Sequence, residues 1–323
     1  MYSTELSGVR HRLVDTNGIQ MHVAEAGTGY PVVFCHGFPE LWYSWRHQML
    51  ALAAAGFHAI APDMRGYGGT EAPPEISAYT QYLLVGDVIG LLDALGLPKA
   101  VVVGHDWGGS VAWQVALRHP ERVERVVSLN TPYFPASPVP FSTAYREVSG
   151  RTGKPFYVDY FLRPGRAEAE LEADVRLTFQ KLMRPAAHAG DMLAFAHVND
   201  DDSGVLTGIG PGETLLTEAE LDVYVGTYQK TGFRGGLSWY RAADLSWEEE
   251  RHLSSPLITV PALMVTAERD SVLRPDLVAL MRPFVQDLRV AQVPDCAHWT
   301  QQEKPDIVNA LLLDFLRDLG ASR

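Results

Sequence analysis

The sequence predicts an α/β fold: a mostly parallel, eight-stranded sheet with helices on both faces and a helical block inserted between its two halves. Three observations predict it. Apolar, β-branched runs of strand length alternate with amphipathic stretches of helix length between residues 9 and 129. From Thr131 the pattern turns proline-rich and then helical, with no convincing strand to about residue 244. Alternation resumes at Ala262-Leu263-Met264-Val265-Thr266 and again over 288–293. At 323 residues the chain is long enough for one large domain with an insertion.

Residues 9–14 and 19–24 flank Thr16-Asn17-Gly18, and Asn-Gly between two β-type runs predicts a hairpin, so the sheet opens with an antiparallel pair. Pro31-Val32-Val33-Phe34-Cys35 reads as a buried strand ending at His36-Gly37-Phe38-Pro39-Glu40. Residues 45–55 have helical spacing, and 57–61 form the next strand, which runs into Pro62-Asp63-Met64-Arg65-Gly66-Tyr67-Gly68-Gly69-Thr70. Those glycines lack the spacing of a dinucleotide or phosphate cradle, so the segment reads as a loop. Over 79–95, Tyr82, Val85, Ile89, Leu92 and Leu95 mark an amphipathic helix. Strand 101–103 then meets a glycine-rich turn and a helix over 111–117, followed by strand 123–129. Pro132, Pro135, Pro138 and Pro140 open the inserted block, whose clearest helices span 167–183 and 217–230. Asp200-Asp201-Asp202-Ser203-Gly204, with Gly208, Gly210, Pro211 and Gly212 after it, reads as a solvated loop, because its spacing is not that of an EF-hand. A helix over 305–319 closes the chain. The expected organisation is a core first half at 1–132, a helical lid at 133–246 and a core second half at 247–323.

Composition excludes several classes of partner. With 27 Lys and Arg against 39 Asp and Glu, the net charge of -12 repels phosphate backbones and anionic lipid, so neither nucleic acid nor a membrane is expected. The mean hydropathy is -0.06, and no stretch approaches membrane-spanning length. No signal peptide is evident at the start, and two cysteines make no disulfide framework, which fits a cytoplasmic protein. Cys35 and Cys296 read as packing residues. The expected partner is a small molecule, bound by a monomer or homodimer.

The chemistry centres on Gly104-His105-Asp106-Trp107-Gly108-Gly109-Ser110, a strand-turn-helix of the Gly-x-Ser-x-Gly kind with aspartate at its centre. A serine attacking a saturated carbon would leave an ether that water does not readily cleave. A carboxylate leaves an ester, whose carbonyl is still open to water. Aspartate here therefore implies a substrate that alkylates: a strained epoxide, or a carbon bearing halide. A helix N-cap would also favour aspartate, but a cap needs no glycines at 104, 108 and 109. Ligands of open α/β sheets bind beyond the carboxyl ends of the strands. Two more reactive groups fall there: Asp270, in Ala267-Glu268-Arg269-Asp270, and His298, in Pro294-Asp295-Cys296-Ala297-His298-Trp299. Position favours Asp270 over Glu268 and Asp295 as the residue that orients His298, and His298 as the base for the water that cleaves the ester. The backbone N–H groups of Phe38 and Trp107 are the expected oxyanion hole, with His36 bracing that loop.

His36-Gly37-Phe38-Pro39-Glu40, Arg65-Gly66-Tyr67-Gly68, Gly104-His105-Asp106-Trp107-Gly108-Gly109, Gly232-Phe233-Arg234-Gly235 with Trp239-Tyr240-Arg241, and His298-Trp299-Thr300-Gln301 together resemble the soluble epoxide hydrolases. Those are α/β-hydrolase-fold enzymes with a helical cap. The chain looks closest to the hydrolase domain of the vertebrate soluble enzyme, without room for that enzyme's N-terminal phosphatase domain. The resemblance implies two cap tyrosines that protonate the opened epoxide oxygen. Tyr240 falls on the Trp-Tyr-Arg motif, and aligning Tyr160-Phe161 and Pro164-Gly165 with the family pattern puts Tyr157, rather than Tyr160, at the second position. Pocket walls are expected from Phe38, Pro39, Trp107 and Trp299, favouring an apolar epoxide, with no metal and no organic cofactor. Haloalkane dehalogenases share the aspartate turn but use a second halide donor where this chain has Phe38. A fluoroacetate-type enzyme would need Arg where Trp107 stands. A non-catalytic receptor on the same fold would not need Asp106, Asp270, His298 and Tyr240 together.

Overall fold

Asn17 and Gly18 both take positive φ, 45° and 77°, the turn that returns β1 (Val9–Thr16) antiparallel onto β2 (Ile19–Gly27) with Thr16 opposite Ile19. A computed structural model describes residues 6–198, 204–253 and 256–320. The acidic run Asp200-Asp201-Asp202-Ser203 lies outside the described residues. The remaining strands are β3 (Tyr30–Cys35), β4 (Phe57–Pro62), β5 (Ala100–His105), β6 (Val123–Leu129), β7 (Ala262–Ala267) and β8 (Leu288–Val293). They make one eight-stranded sheet in the order β1-β2-β4-β3-β5-β6-β7-β8, parallel except where β2 pairs with β1 and β4.

The direction of winding reverses between β3 and β5. From β3 the chain moves outward to β4, whereas β5 to β8 run the other way, so a crevice opens beyond the carboxyl ends of β3 and β5. Every residue of β5 is buried, as a parallel strand covered on both faces requires.

Helices α1 (Arg46–Ala54), α2 (Gln81–Ala94) and α3 (Trp107–Arg118) cover the first half of the sheet. The buried stripe of α2 runs through Leu84, Val88 and Leu91, with Val85 and Leu92 beside it, whereas Tyr82 is 60 % exposed. Apolar residues occupy so much of this helix that periodicity identifies it without fixing which side meets the sheet. Between β6 and β7 lie α4 (Phe141–Thr152), α5 (Tyr157–Phe161), α6 (Arg166–Ala173), α7 (Val175–Leu182), α8 (Ala189–Ala196), α9 (Glu218–Thr231), α10 (Arg234–Arg241) and α11 (Ala243–Glu250). The single helix expected over 167–183 is two. Asp174 is extended, and its carboxylate accepts the Leu177 N–H at 3.0 Å, so it ends α6 and caps α7. After β7 come α12 (Val278–Met281), α13 (Thr300–Glu303), α14 (Pro305–Phe315) and α15 (Arg317–Gly320). Among the described residues no helix is long and apolar enough to cross a membrane.

Two glycines let the turn after β5 close tightly. A Cβ on Gly104 would meet the carbonyl of Gly108, and one on Gly108 would meet the carbonyl of Cys35 at the end of β3. Backbone cannot swing aside as a side chain can, so Gly108→Ala should lower unfolding stability by about 1–3 kcal/mol. Gly150→Ala is the control: it sits in α4 where a Cβ meets nothing within 4 Å, and should be neutral or stabilising by up to about 1 kcal/mol. Urea midpoints of the two variants against the parent measure the contrast.

Candidate active site

Asp106 follows β5 directly and holds φ 53°, ψ -126°, a region that L residues rarely occupy. It occupies the N-cap position of α3, yet its side chain makes no cap hydrogen bond. The carboxylate turns instead across the crevice, where Oδ1 accepts the Phe38 N–H at 2.8 Å. The Trp107 N–H also bonds this carboxylate. Burial pushes the Asp106 carboxyl up from its ordinary value, and His298, His105 and the two N–H groups offset only part of that rise.

Asp270 follows β7, and His298 lies in the loop after β8. His298 Nδ1 is 2.9 Å from Asp270 Oδ2, and its Nε2 faces Asp106 Oδ2 at 3.8 Å. Asp270 Oδ2 also accepts from Asn130 Nδ2 at 2.7 Å, while Oδ1 accepts the N–H groups of Val272 and Leu273, each at 2.9 Å. Burial opposes the Asp270 charge, but His298 and this ring of donors bring its carboxyl down to about 2. Burial likewise opposes a charged His298; Asp270, then Asp106 and Glu40, outweigh it and lift the imidazole to about 9. The competing carboxylates serve their own surface loop: Glu268 accepts the Asp295 N–H, and Asp295 pairs with Arg269.

His36 accepts the Met64 N–H through Nε2 at 2.9 Å and reaches the Gly37 carbonyl through Nδ1 at 2.9 Å, so it braces the Phe38 loop. A second buried pair lies beneath. His105 Nδ1 meets Glu40 Oε2 at 2.7 Å, and its Nε2 meets the His298 carbonyl at 2.8 Å. Glu40 also accepts the Gly37 N–H and the Gln301 amide. Burial raises the Glu40 carboxyl, but the adjacent His105 helps bring it down to about 2.

Above Asp106, Tyr157 on α5 and Tyr240 on α10 close over a narrow pocket. Phe38, Pro39, Leu182, Phe195, Val272 and Trp299 wall it, with Asp106 and His298 at its floor. The Tyr240 ring stands edge-on to Phe38 and Trp107, with centroids 5.6 and 5.0 Å away, and 6.0 Å from the Tyr157 ring. Burial drives both hydroxyls well above 10, reinforced for Tyr157 by Tyr145 and Asp106 and for Tyr240 by Tyr157 and Asp106. Both therefore remain protonated donors at neutral pH.

The pocket takes Tyr157, while Tyr160 turns to the Arg166 carbonyl and lies under the Arg166 guanidinium. Trp107, expected as a wall residue, lies one side chain back from the pocket. Its ring packs edge-on against Tyr240 and tilted against Phe141, and its indole bonds the Tyr240 hydroxyl, so it borders the pocket through that tyrosine. Sequence reasoning did not identify Asn130, Glu40 or His105 as supports, nor Leu182, Phe195 and Val272 as walls. Asn130 carried one readable sign, a non-glycine residue at a strand end, which proves to hold φ 66°. Among the described residues no group of three or more His, Cys, Asp or Glu is placed to hold a metal.

The profile of the α/β hydrolase fold family matches residues 30–305. Bifunctional epoxide hydrolase 2 of Rattus norvegicus is 42 % identical over 303 residues, covering 93 % of this chain and 54 % of that protein, so the chain spans about half the length of this vertebrate relative. Epoxide hydrolase A of Mycobacterium tuberculosis is 42 % identical over 319 residues, covering 95 % of this chain and 97 % of the relative. Among solved structures, epoxide hydrolase A from Mycobacterium thermoresistibile superposes with a TM-score of 0.87 at 40 % identity, covering 96 % of this chain and 98 % of its own. An epoxide hydrolase from an endophytic Streptomyces reaches 0.92 at 38 % identity, covering 97 % of both chains.

The pairing of His298 with Asp270 makes stability depend on pH. The folded value of His298 lies above its ordinary 6.5, so its contribution is complete below about 6.5 and is lost as pH rises through about 9. Asp270 lies below its ordinary 3.8, so its contribution is present above that value and is lost as pH falls through about 2. The gap in urea midpoint between the parent and His298→Gln should therefore shrink between pH 6.5 and 9. An unchanged gap over that range would contradict the assignment.

Proposed function

The chain belongs to the epoxide hydrolases of the α/β hydrolase fold, and on that premise we propose that it adds water to an apolar epoxide, forming a vicinal diol through an ester on Asp106. The observation that carries this reading is the two-sided setting of one carboxylate. Its Oδ1 accepts the Phe38 N–H, the Trp107 N–H also bonds the carboxylate, and its Oδ2 faces His298 Nε2 at 3.8 Å beneath two tyrosines.

In the first step Asp106 Oδ2 attacks an oxirane carbon. The C–O bond of the ring breaks, and the leaving oxygen takes a proton from Tyr157 or Tyr240, a contribution of roughly 10²–10⁴ in rate. Esterification removes the negative charge at 106 that helped hold the His298 proton. That proton then restores the tyrosine, leaving His298 neutral and able to act as a base. In the second step His298 takes a proton from water, hydroxide attacks Cγ of residue 106, and the negative oxygen rests on the N–H groups of Phe38 and Trp107. Loss of one such donor costs about 10²–10³ in rate. Collapse releases the diol oxygen, which takes the proton from His298, and the carboxylic acid left at 106 passes its own proton to His298, restoring the carboxylate and the imidazolium. The sum is epoxide plus water to diol, and no step calls for a metal or organic cofactor.

In this reading 133–246 form the cap over a core of 1–132 and 247–323, with Asp270 orienting His298. Two free, buried cysteines, Cys35 and Cys296, suit a reducing compartment, in keeping with the cytoplasm. Haloalkane dehalogenation fits less well, because Phe38 stands where a second halide donor would be needed and the Trp107 indole is bonded to the Tyr240 hydroxyl.

Two measurements test the chemistry. With styrene oxide, His298→Gln should gain the mass of one substrate and retain it; protein that binds substrate yet keeps its original mass would rule out the ester. A single turnover of the parent in heavy-oxygen water should place label in the Asp106 carboxylate. Label appearing in the diol alone would mean that water attacks the epoxide directly.

A further inference from the structure

The two tyrosines above Asp106 have different supports. Tyr157 packs against Phe156, Phe161, Phe195 and Tyr240, all from the helical block between β6 and β7. Tyr240 belongs to α10, which is bound along its length to the core loop after β4. At its start the Arg234 guanidinium donates to the carbonyls of Ala72 and Pro73 at 2.9 and 3.0 Å. One residue on, the backbones of Gly235 and Gly66 touch: a Cβ on Gly66 would lie 3.0 Å from the Gly235 Cα, and one on Gly235 would meet the Gly66 carbonyl. Near the end of α10 the buried Trp239 indole donates to the Arg65 carbonyl at 3.0 Å. Arg65 is itself held by two bonds to the fully buried Asp87, at 2.7 and 2.5 Å, and Asp87 is braced by Asn17 of the hairpin turn. An unbroken series of contacts thus runs from the core through Arg65 and Trp239 to the residue beside the Tyr240 hydroxyl.

We propose that Trp239 is a positioning residue for epoxide opening: its hydrogen bond to the Arg65 carbonyl fixes Tyr240 to the core and aims that hydroxyl at the oxygen leaving Asp106's target carbon. The inference rests on the reaction proposed above and deepens it, because it assigns alignment of the acid to one bond outside the pocket. Trp239 does not line the pocket, so it acts through its neighbour. Misplacing an acid by a fraction of a bond length slows only the step in which that acid donates. Ester hydrolysis depends on His298 and the backbone N–H groups of Phe38 and Trp107; Trp239 makes no hydrogen bond to any of them, touching Trp107 only ring to ring at 6.3 Å.

The test is Trp239→Phe, which keeps an aromatic ring and removes the indole N–H. Rapid-quench intact mass with styrene oxide reads ester formation, and its decay after a single turnover reads hydrolysis. Ester formation should slow about tenfold, with hydrolysis changed less than about twofold. In a Tyr240→Phe background the same substitution should have no further effect on ester formation, since the aligned hydroxyl is already gone. Equal slowing of both steps, or losses that multiply in the double variant, would overturn the inference, as would rates unchanged from the parent. If Trp239→Phe does not fold, Arg234→Met decides, because it loosens the outer end of α10: a selective fall in ester formation supports the inference and no change overturns it. A parent protein that never gains substrate mass would defeat the underlying reaction, a result distinct from a parent that reacts and a variant that matches it.

Discussion

The structure depends on one strained residue. Asp106 sits at φ 53°, a conformation that costs on the order of 1–3 kcal/mol for a residue with a side chain. Surrounding backbone enforces it: Gly104 lies against Gly108, and Gly108 lies against Cys35 at the end of β3, so the turn has no room to relax. The consequence is a carboxylate that points away from its own helix and into the loop from the neighbouring strand. Because winding reverses between β3 and β5, that loop brings a free N–H to meet it.

A buried carboxylate must be compensated, and the site does so with charges in alternation. Asp106 faces His298, His298 is bonded to Asp270, and Asp270 is saturated by Asn130, Val272 and Leu273. Underneath, Glu40 and His105 repeat the motif and hold the His298 carbonyl. The arrangement is responsive because these values depend on one another. Neutralising residue 106 alters how strongly His298 keeps its proton, and in the proposed reaction that change turns an ion-pair partner into a base.

The roof works by the opposite principle. Tyr157 and Tyr240 are enclosed by aromatic rings, and burial holds their hydroxyls far from ionisation. Such groups donate hydrogen bonds well and release protons only to a strong base, which in the proposed reaction is the newly opened alkoxide. A charged residue in the same place would have attracted the carboxylate below it; a hydroxyl leaves the space free for an apolar guest.

The sequence by itself determined the strand order in the chain, the inserted helices, and the positions of Asp106, Asp270 and His298, since each follows a strand and strand ends are marked by local composition. Motif resemblance, rather than any physical pattern, singled out Tyr240 and Tyr157. The break at Asp174 escaped because a capping aspartate inside a helical period looks like a solvated one. Only the tertiary structure decided what depends on separate segments meeting: Asn130 on Asp270, Glu40 under His105, the Trp107 ring against Tyr240, and the Trp239 bond to Arg65. Local sequence encodes turns and periodicity, whereas the partner of a buried polar group is chosen by which strand ends and helices come to lie together.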